Sequence, residues 1–112
     1  MKSNSPRYTH IISDIHYKGN LPDIEKKMDE AIAEVNELHV IQKFKYLFNP
    51  IGISLFYVLA ESHISIHTWE EYNTMNIDFF TCGASNPEKT LDTFLEKMDI
   101  QDENRQILKR GI

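Results

Sequence analysis

Hydrophobic positions change period several times along the chain, and each change marks an element. From Arg7 to Tyr17 the apolar Ile11, Ile12, Ile15 and Tyr17 alternate loosely with polar residues, which predicts a first strand. Gly19-Asn20-Leu21-Pro22 breaks it. From Pro22, Ile24, Met28, Ala31, Ile32 and Val35 recur at helical spacing. Pro22 suits a first helical turn, and Asp23 and Glu25 complement the positive end of the helix dipole. Glu25, Lys26, Asp29 and Glu30 form the opposite face, which we expect to be solvated, so this amphipathic helix covers something.

Leu38 to Phe48 predicts a half-buried strand, with Val40, Phe44, Tyr46 and Phe48 on one face and Lys43 and Lys45 on the other. Asn49-Pro50-Ile51-Gly52 is a turn signal. Ile53 to Ala60 is a nearly unbroken apolar run bearing one hydroxyl, Ser54, and reads as a central strand. Glu61-Ser62 interrupts it; His63 to Trp69 resumes with alternation, and Asn76 to Cys82 follows as another strand. Asn86-Pro87-Glu88 starts a second helix: Asn as N-cap, Pro at the first helical position, then an acid, with Leu91, Phe94, Leu95 and Met98 at helical spacing. The charged tail predicts at most a short closing strand near Gln106 to Ile112.

Two amphipathic helices and about four hairpin-adjacent strands predict an α+β fold. It would be a two-layer sandwich, an antiparallel sheet with both helices packed on one face. The other sheet face then needs a cover. In so short a chain a second copy is the economical one, which predicts a homodimer.

The 112 residues allow one domain, 1–112, with a single core. Apolar residues at 41% and charged residues at 26% are ordinary for a soluble globular chain. The net charge of −5 is spread rather than blocked, which argues against a nucleic-acid partner and is compatible with a cationic small molecule. The single cysteine, Cys82, excludes an internal disulfide and suggests a reducing compartment. The polar start from Met1 to Tyr17 lacks a signal-peptide core, and no run approaches the ~20 apolar residues that span a bilayer. We therefore expect a cytoplasmic protein with no membrane partner.

The stretch Ala60-Glu61-Ser62-His63-Ile64-Ser65-Ile66-His67-Thr68-Trp69 is where chemistry concentrates: a carboxylate, two hydroxyls, two imidazoles and an indole. In an arbitrary protein it reads as a half-exposed strand whose His63, Ser65 and His67 face water. A shared metal fails on spacing. Ile64, Ile66 and Thr68 favour a strand, in which four residues span ~13 Å at ~3.3 Å each. Ser62 has no G-x-S-x-G elbow, and Cys82 has no protease signature around it.

Glu61 to Trp69, followed by Asp78-Phe79-Phe80-Thr81-Cys82-Gly83, closely resembles the short bacterial and archaeal S-adenosylmethionine decarboxylases. Phe48-Asn49-Pro50-Ile51-Gly52-Ile53-Ser54 adds the family's aromatic, Pro, Gly and Ser at the same spacings. The element order agrees across nearly the whole chain, though the two terminal quarters match only in pattern.

The resemblance implies a chain that cuts itself between Glu61 and Ser62 into segments 1–61 and 62–112. Ser62 would attack the Glu61 carbonyl, helped by backbone strain at the interrupted strand. Ser54 matches the residue assigned to processing and His67 the processing base. Ser62 would become a pyruvoyl group, so no metal and no pyridoxal phosphate are expected. That carbonyl would form a Schiff base with the substrate amine and accept the electrons left by carbon dioxide. Cys82 matches the proton donor to the substrate. Phe48 and Trp69 match the lining of the nucleoside pocket, and Glu71 a carboxylate suited to ribose hydroxyls. The implied substrate is S-adenosylmethionine, decarboxylated to supply aminopropyl groups for polyamine (spermidine) synthesis.

Three positions depart from the family pattern. Glu70 stands where relatives have Pro after His-Thr-Trp, Tyr46 where many have His, and Leu55 where Gly is common. All could alter substrate fit and none touches cleavage. Some relatives decarboxylate arginine or ornithine instead, so that alternative stays open, as does a non-catalytic homologue that regulates a related enzyme.

Overall fold

The computed structural model describes residues 7–21, 23–35, 37–82 and 85–112. Pro22 and Gly83, singled out above, lie outside them. Six strands, β1 (Arg7–Tyr17), β2 (Val40–Leu47), β3 (Ile53–Leu59), β4 (Ser62–Trp69), β5 (Thr74–Cys82) and β6 (Ile100–Gly111), form one sheet in the order β2-β3-β4-β5-β1-β6. Every pairing is antiparallel. Helices α1 (Ile24–Val35) and α2 (Pro87–Leu95) cover one face.

Strand parity decides which residues meet the helices. Ile11, Ile15 and Tyr17, then Leu55, Tyr57 and Leu59, then Ile64 and Ile66, then Met75, Ile77 and Phe79 are all buried. Against them α1 buries Ile24, Met28, Ala31 and Ile32, and α2 buries Leu91, Phe94 and Leu95. The expected α+β sandwich with both helices on one face is what forms. Asn86 caps α2 as anticipated, its side chain accepting from the Lys89 amide at 3.3 Å. No helix among the described residues is long and apolar enough to cross a membrane.

Two elements differ from expectation. The tail forms a 12-residue strand that pairs along β1, where only a short one near Gln106 to Ile112 was expected. Its alternation is masked because charges occupy core-side positions. Arg105 is held by Asp92 at 2.8 Å and Glu103 at 2.7 Å, and Glu103 accepts from buried Ser13 at 2.6 Å. The strand β2, expected to be half-buried, is exposed along its whole length. It is an edge strand whose helix-facing side is ionic. Lys43 and Lys45 reach Glu25 at 2.6 and 2.9 Å, on the helix face expected to be solvated. Val40 also leaves the face of Phe44 and Tyr46, because a register shift before Gln42 pairs it with Leu59.

Candidate active site

One end of β4 is a strained turn. Leu59 pairs with Ser62, so only Ala60 and Glu61 join β3 to β4. Glu61 closes the turn at φ +68°, a left-handed conformation that costs a non-glycine residue ~1–2 kcal/mol. The Ala60 amide donates to the His39 carbonyl at 2.9 Å, and the Ser62 hydroxyl lies 3.4 Å from the Ala60 carbonyl. His63 pairs with Phe80 across to β5, and the same register carried past that pair sets Cys82 beside Glu61. Cys82 ends β5 half-buried, with the parity of the helix-free face. Glu61, Ser62 and Cys82 thus gather at one corner.

The other end of β4 opens to a cleft. Ser54 pairs with His67, and Ser54 Oγ sits 2.6 Å from His67 Nδ1. A cleft of about 210 Å³ opens beside them, lined also by Phe48, Trp69 and Glu71. Each lining residue has a local cause. Phe48 donates its amide to the Gly52 carbonyl at 2.9 Å. Gly52 has φ +120°, and a Cβ there would lie 3.3 Å from that of Phe48, so glycine lets the ring approach. Trp69 Nε1 donates to Asn76 Oδ1 at 2.6 Å, and Asn76 in turn donates to Asp14 at 2.7 Å, which fixes the indole. Thr68 staples the strands by accepting from the Ile53 amide at 2.9 Å. Glu71 rides the short 3₁₀ turn Glu70–Tyr72. Buried Tyr17 titrates above its ordinary range because burial disfavours the phenolate and the Glu70 and Glu71 carboxylates oppose it further.

Ser54, His67, Phe48, Trp69 and Glu71 are therefore one group, and Glu61, Ser62 and Cys82 another. His67 lies five residue steps along the strand from Ser62, about 16 Å at ~3.3 Å per step. Within one chain His67 cannot touch Ser62. The strand rise that excludes a metal shared by His63 and His67 also keeps His67 away from Ser62. Sequence reasoning missed His10, Asp78 and the ring of Phe56, which share the helix-free face with His63 and Phe80. Their signal was available as the parity opposite the buried positions of each strand.

A family model described as S-adenosylmethionine decarboxylase matches residues 11–111. The chain belongs to that family. Among the relatives of this decarboxylase family, the S-adenosylmethionine decarboxylase proenzyme of Archaeoglobus fulgidus is 36% identical over 107 residues, covering 91% of this chain and 96% of that one. A protein of the same description from a Hydrogenobaculum species is 37% identical over 110 residues, 92% of this chain and 81% of the other. The crystal structure of the adenosylmethionine decarboxylase of Aquifex aeolicus superposes with a TM-score of 0.84 at 28% identity, covering 96% of this chain and 92% of that one. The likeness to that solved structure extends over the whole α+β sheet-and-helix layer.

Proposed function

We propose that this chain is a proenzyme that cuts itself before Ser62 and then decarboxylates S-adenosylmethionine with the pyruvoyl group so formed. The observation that carries the reading is the left-handed backbone of Glu61 immediately before Ser62. A non-glycine residue held there raises the energy of the uncut chain relative to the cut one. A serine hydroxyl sits in the same turn.

Ser62 Oγ attacks the Glu61 carbonyl carbon; the C–N bond breaks, an ester forms and the Ser62 amine is freed. A base takes the Ser62 α-proton and the Glu61 carboxylate leaves, giving a dehydroalanine. Its imine tautomer is hydrolysed by water, releasing ammonia and leaving a pyruvoyl group at the head of 62–112. The site fits that group, since its precursor hydroxyl and a strained linkage share one turn and the register sets Cys82 beside it. Once formed, the carbonyl supplies an electron sink for the bond to the substrate carboxylate. Cys82 holds the proton at Sγ and returns it to the substrate α-carbon. Phe48 and Trp69 offer faces to the adenine and the sulfonium, and Glu71 accepts from ribose hydroxyls.

The base and the donor that steadies the oxyanion come from a second copy. Ser54 and His67 are too far from their own Ser62, while Cys82 shares their sheet face. That face also exposes Phe44, Phe56, Ile12 and Leu108, an apolar surface fit for an isologous homodimer. Laid face to face, each copy's Ser54–His67 pair and cleft serve the other's Ser62 turn. A cytoplasmic setting suits the lone thiol.

Intact-mass spectrometry tests the cut: two fragments divided before Ser62 are expected, the second with a blocked start. Carboxyl-labelled S-adenosylmethionine, arginine and ornithine then test the substrate. Labelled carbon dioxide from an amino acid and none from S-adenosylmethionine would overturn the substrate. A whole chain with a free amino terminus would instead favour a regulatory homologue.

A further inference from the structure

Cutting before Ser62 removes the only covalent link between β3 and β4 and turns Ser62 into a chain end. Chain ends fray unless something ties them down. The reactive carbonyl of the proposed enzyme would sit on that end, where about 1 Å of misplacement costs on the order of 10²-fold in rate.

The next residue is trapped on three sides. The His63 ring lies between Phe56 of β3 and Phe80 of β5, with centroids 5.6 Å away on each side and planes within 22° and 23°. Its Nε2 is 3.5 Å from Asp78 Oδ1, and that same oxygen is 2.7 Å from His10 Nε2. Phe80 is backed in turn by the ring of Tyr8 at 5.1 Å and by the Arg110 guanidinium at 5.0 Å. An outward residue on an alternating strand ordinarily faces solvent; the His63 ring is instead flanked by two rings and a carboxylate.

The clamp also crosses the cut. His10 and Phe56 belong to 1–61, whereas His63, Asp78 and Phe80 belong to 62–112. Its hold does not depend on the bond that is lost.

We propose that His63 is a positioning residue: its ring, stacked between Phe56 and Phe80 and braced by Asp78, anchors the newly made chain end and so holds the pyruvoyl carbonyl in place. This rests on the self-cleavage reading. Stacking is the main hold, because the 3.5 Å approach to Asp78 is long for a hydrogen bond.

The test uses the full chain with His63→Ala, His63→Phe and Asp78→Asn. Intact mass is measured first. On the cut proteins, kcat and KM follow from carbon dioxide release out of labelled S-adenosylmethionine, and amide hydrogen exchange is followed at residues 62–66. For His63→Ala we expect kcat to fall about tenfold or more with KM within about twofold. Exchange should quicken at the head of β4 and stay unchanged in β1 and β5. His63→Phe keeps the stack and should recover kcat to within about threefold of the original, while Asp78→Asn should lose less than His63→Ala. His63→Ala with unaltered kcat and exchange would overturn the anchor, as would equal losses in Ala and Phe variants accompanied by a rise in KM. Should the Ala variant not be cut, the Phe variant decides: a cut protein of near-original kcat supports the anchor, and an uncut one overturns it. A wild-type chain that stays whole defeats the self-cleavage reading itself, visible in the first mass spectrum, and the anchor with it.

Discussion

The two ends of β4 are built on opposite principles. At the Ser62 end the backbone is forced into a left-handed turn, and the serine hydroxyl has a long contact to the Ala60 carbonyl. At the Trp69 end the backbone is regular. Its polar atoms are paired, Ser54 with His67 and Trp69 with Asn76, beside a cleft of about 210 Å³. One end stores energy and the other presents donors, acceptors and rings. Neither is a complete machine, and a rigid strand about 16 Å long keeps them apart. A strand that cannot bend to join its own ends is the geometry that the proposed dimer answers.

The largest effect that can break this comparison is all-or-none. Ser62→Ala should never be cut, and His67→Ala should stall at or before the ester. Made together in one cell, the two variants should form mixed dimers in which only the His67→Ala chains are cut, because the Ser62→Ala partner supplies an intact Ser54–His67 pair. Mass spectra of the mixture check this. Cutting of His67→Ala alone at the normal rate would show that the two ends do not cooperate.

Next in size, Cys82→Ser should be cut normally yet lose on the order of 10²-fold or more in decarboxylation, since a positioned proton donor is worth about that much. Full activity in the cut variant would remove Cys82 from the substrate step. Smaller again, Glu61→Gly relieves the strained turn. In a Ser62→Ala background it should raise the unfolding free energy by about 1 kcal/mol. In the active chain it should slow cutting about five- to tenfold, the kinetic equivalent of that energy. A faster cut would mean the strain has no part in it.

The smallest effect concerns the cover on the far side of the sheet. Hydrogen bonds from Lys43 and Lys45 hold the Glu25 carboxyl below its ordinary range. A carboxyl depressed in the folded state stabilises above its unfolded titration point, and that contribution disappears as pH falls through the folded one. Denaturant midpoints between neutral pH and the acid range should therefore fall slightly less for Glu25→Gln than for the original. The difference should be no more than about 0.5–1 kcal/mol, because the group is partly exposed.

How legible all this was depended on the periodicity. Ile11, Ile15, Ile64, Ile66, Ile77 and Phe79 announce themselves by alternation, and the helices by 3.6-residue spacing and the Asn86 cap. The closing strand did not, because Glu103 and Arg105 fill inward positions with a charge pair that alternation cannot flag. The residues Phe48, Trp69, Glu71, Ser54 and His67 were each named from the chain, and their meeting in one cleft follows from the β3–β4 register. The chain pointed to strain at the interrupted strand but not to its form, a left-handed Glu61, which depends on a two-residue connection. Nor could it give the clamp on His63, which depends on three strands arriving together from distant sequence.

The sheet order has one last consequence. Strands β1, β2 and β3 precede the proposed cut, and β4, β5 and β6 follow it, yet β1 lies between β5 and β6. The two pieces are interleaved, sharing the ladders β3–β4, β5–β1 and β1–β6. Neither piece can slide away while the other keeps its shape, so the severed protein should behave as one body until it melts. Melting then also parts the two pieces: the midpoint of the cut form should shift more steeply with protein concentration than that of an uncut Ser62→Ala dimer, and refolding should become an encounter between two partners that were once a single chain.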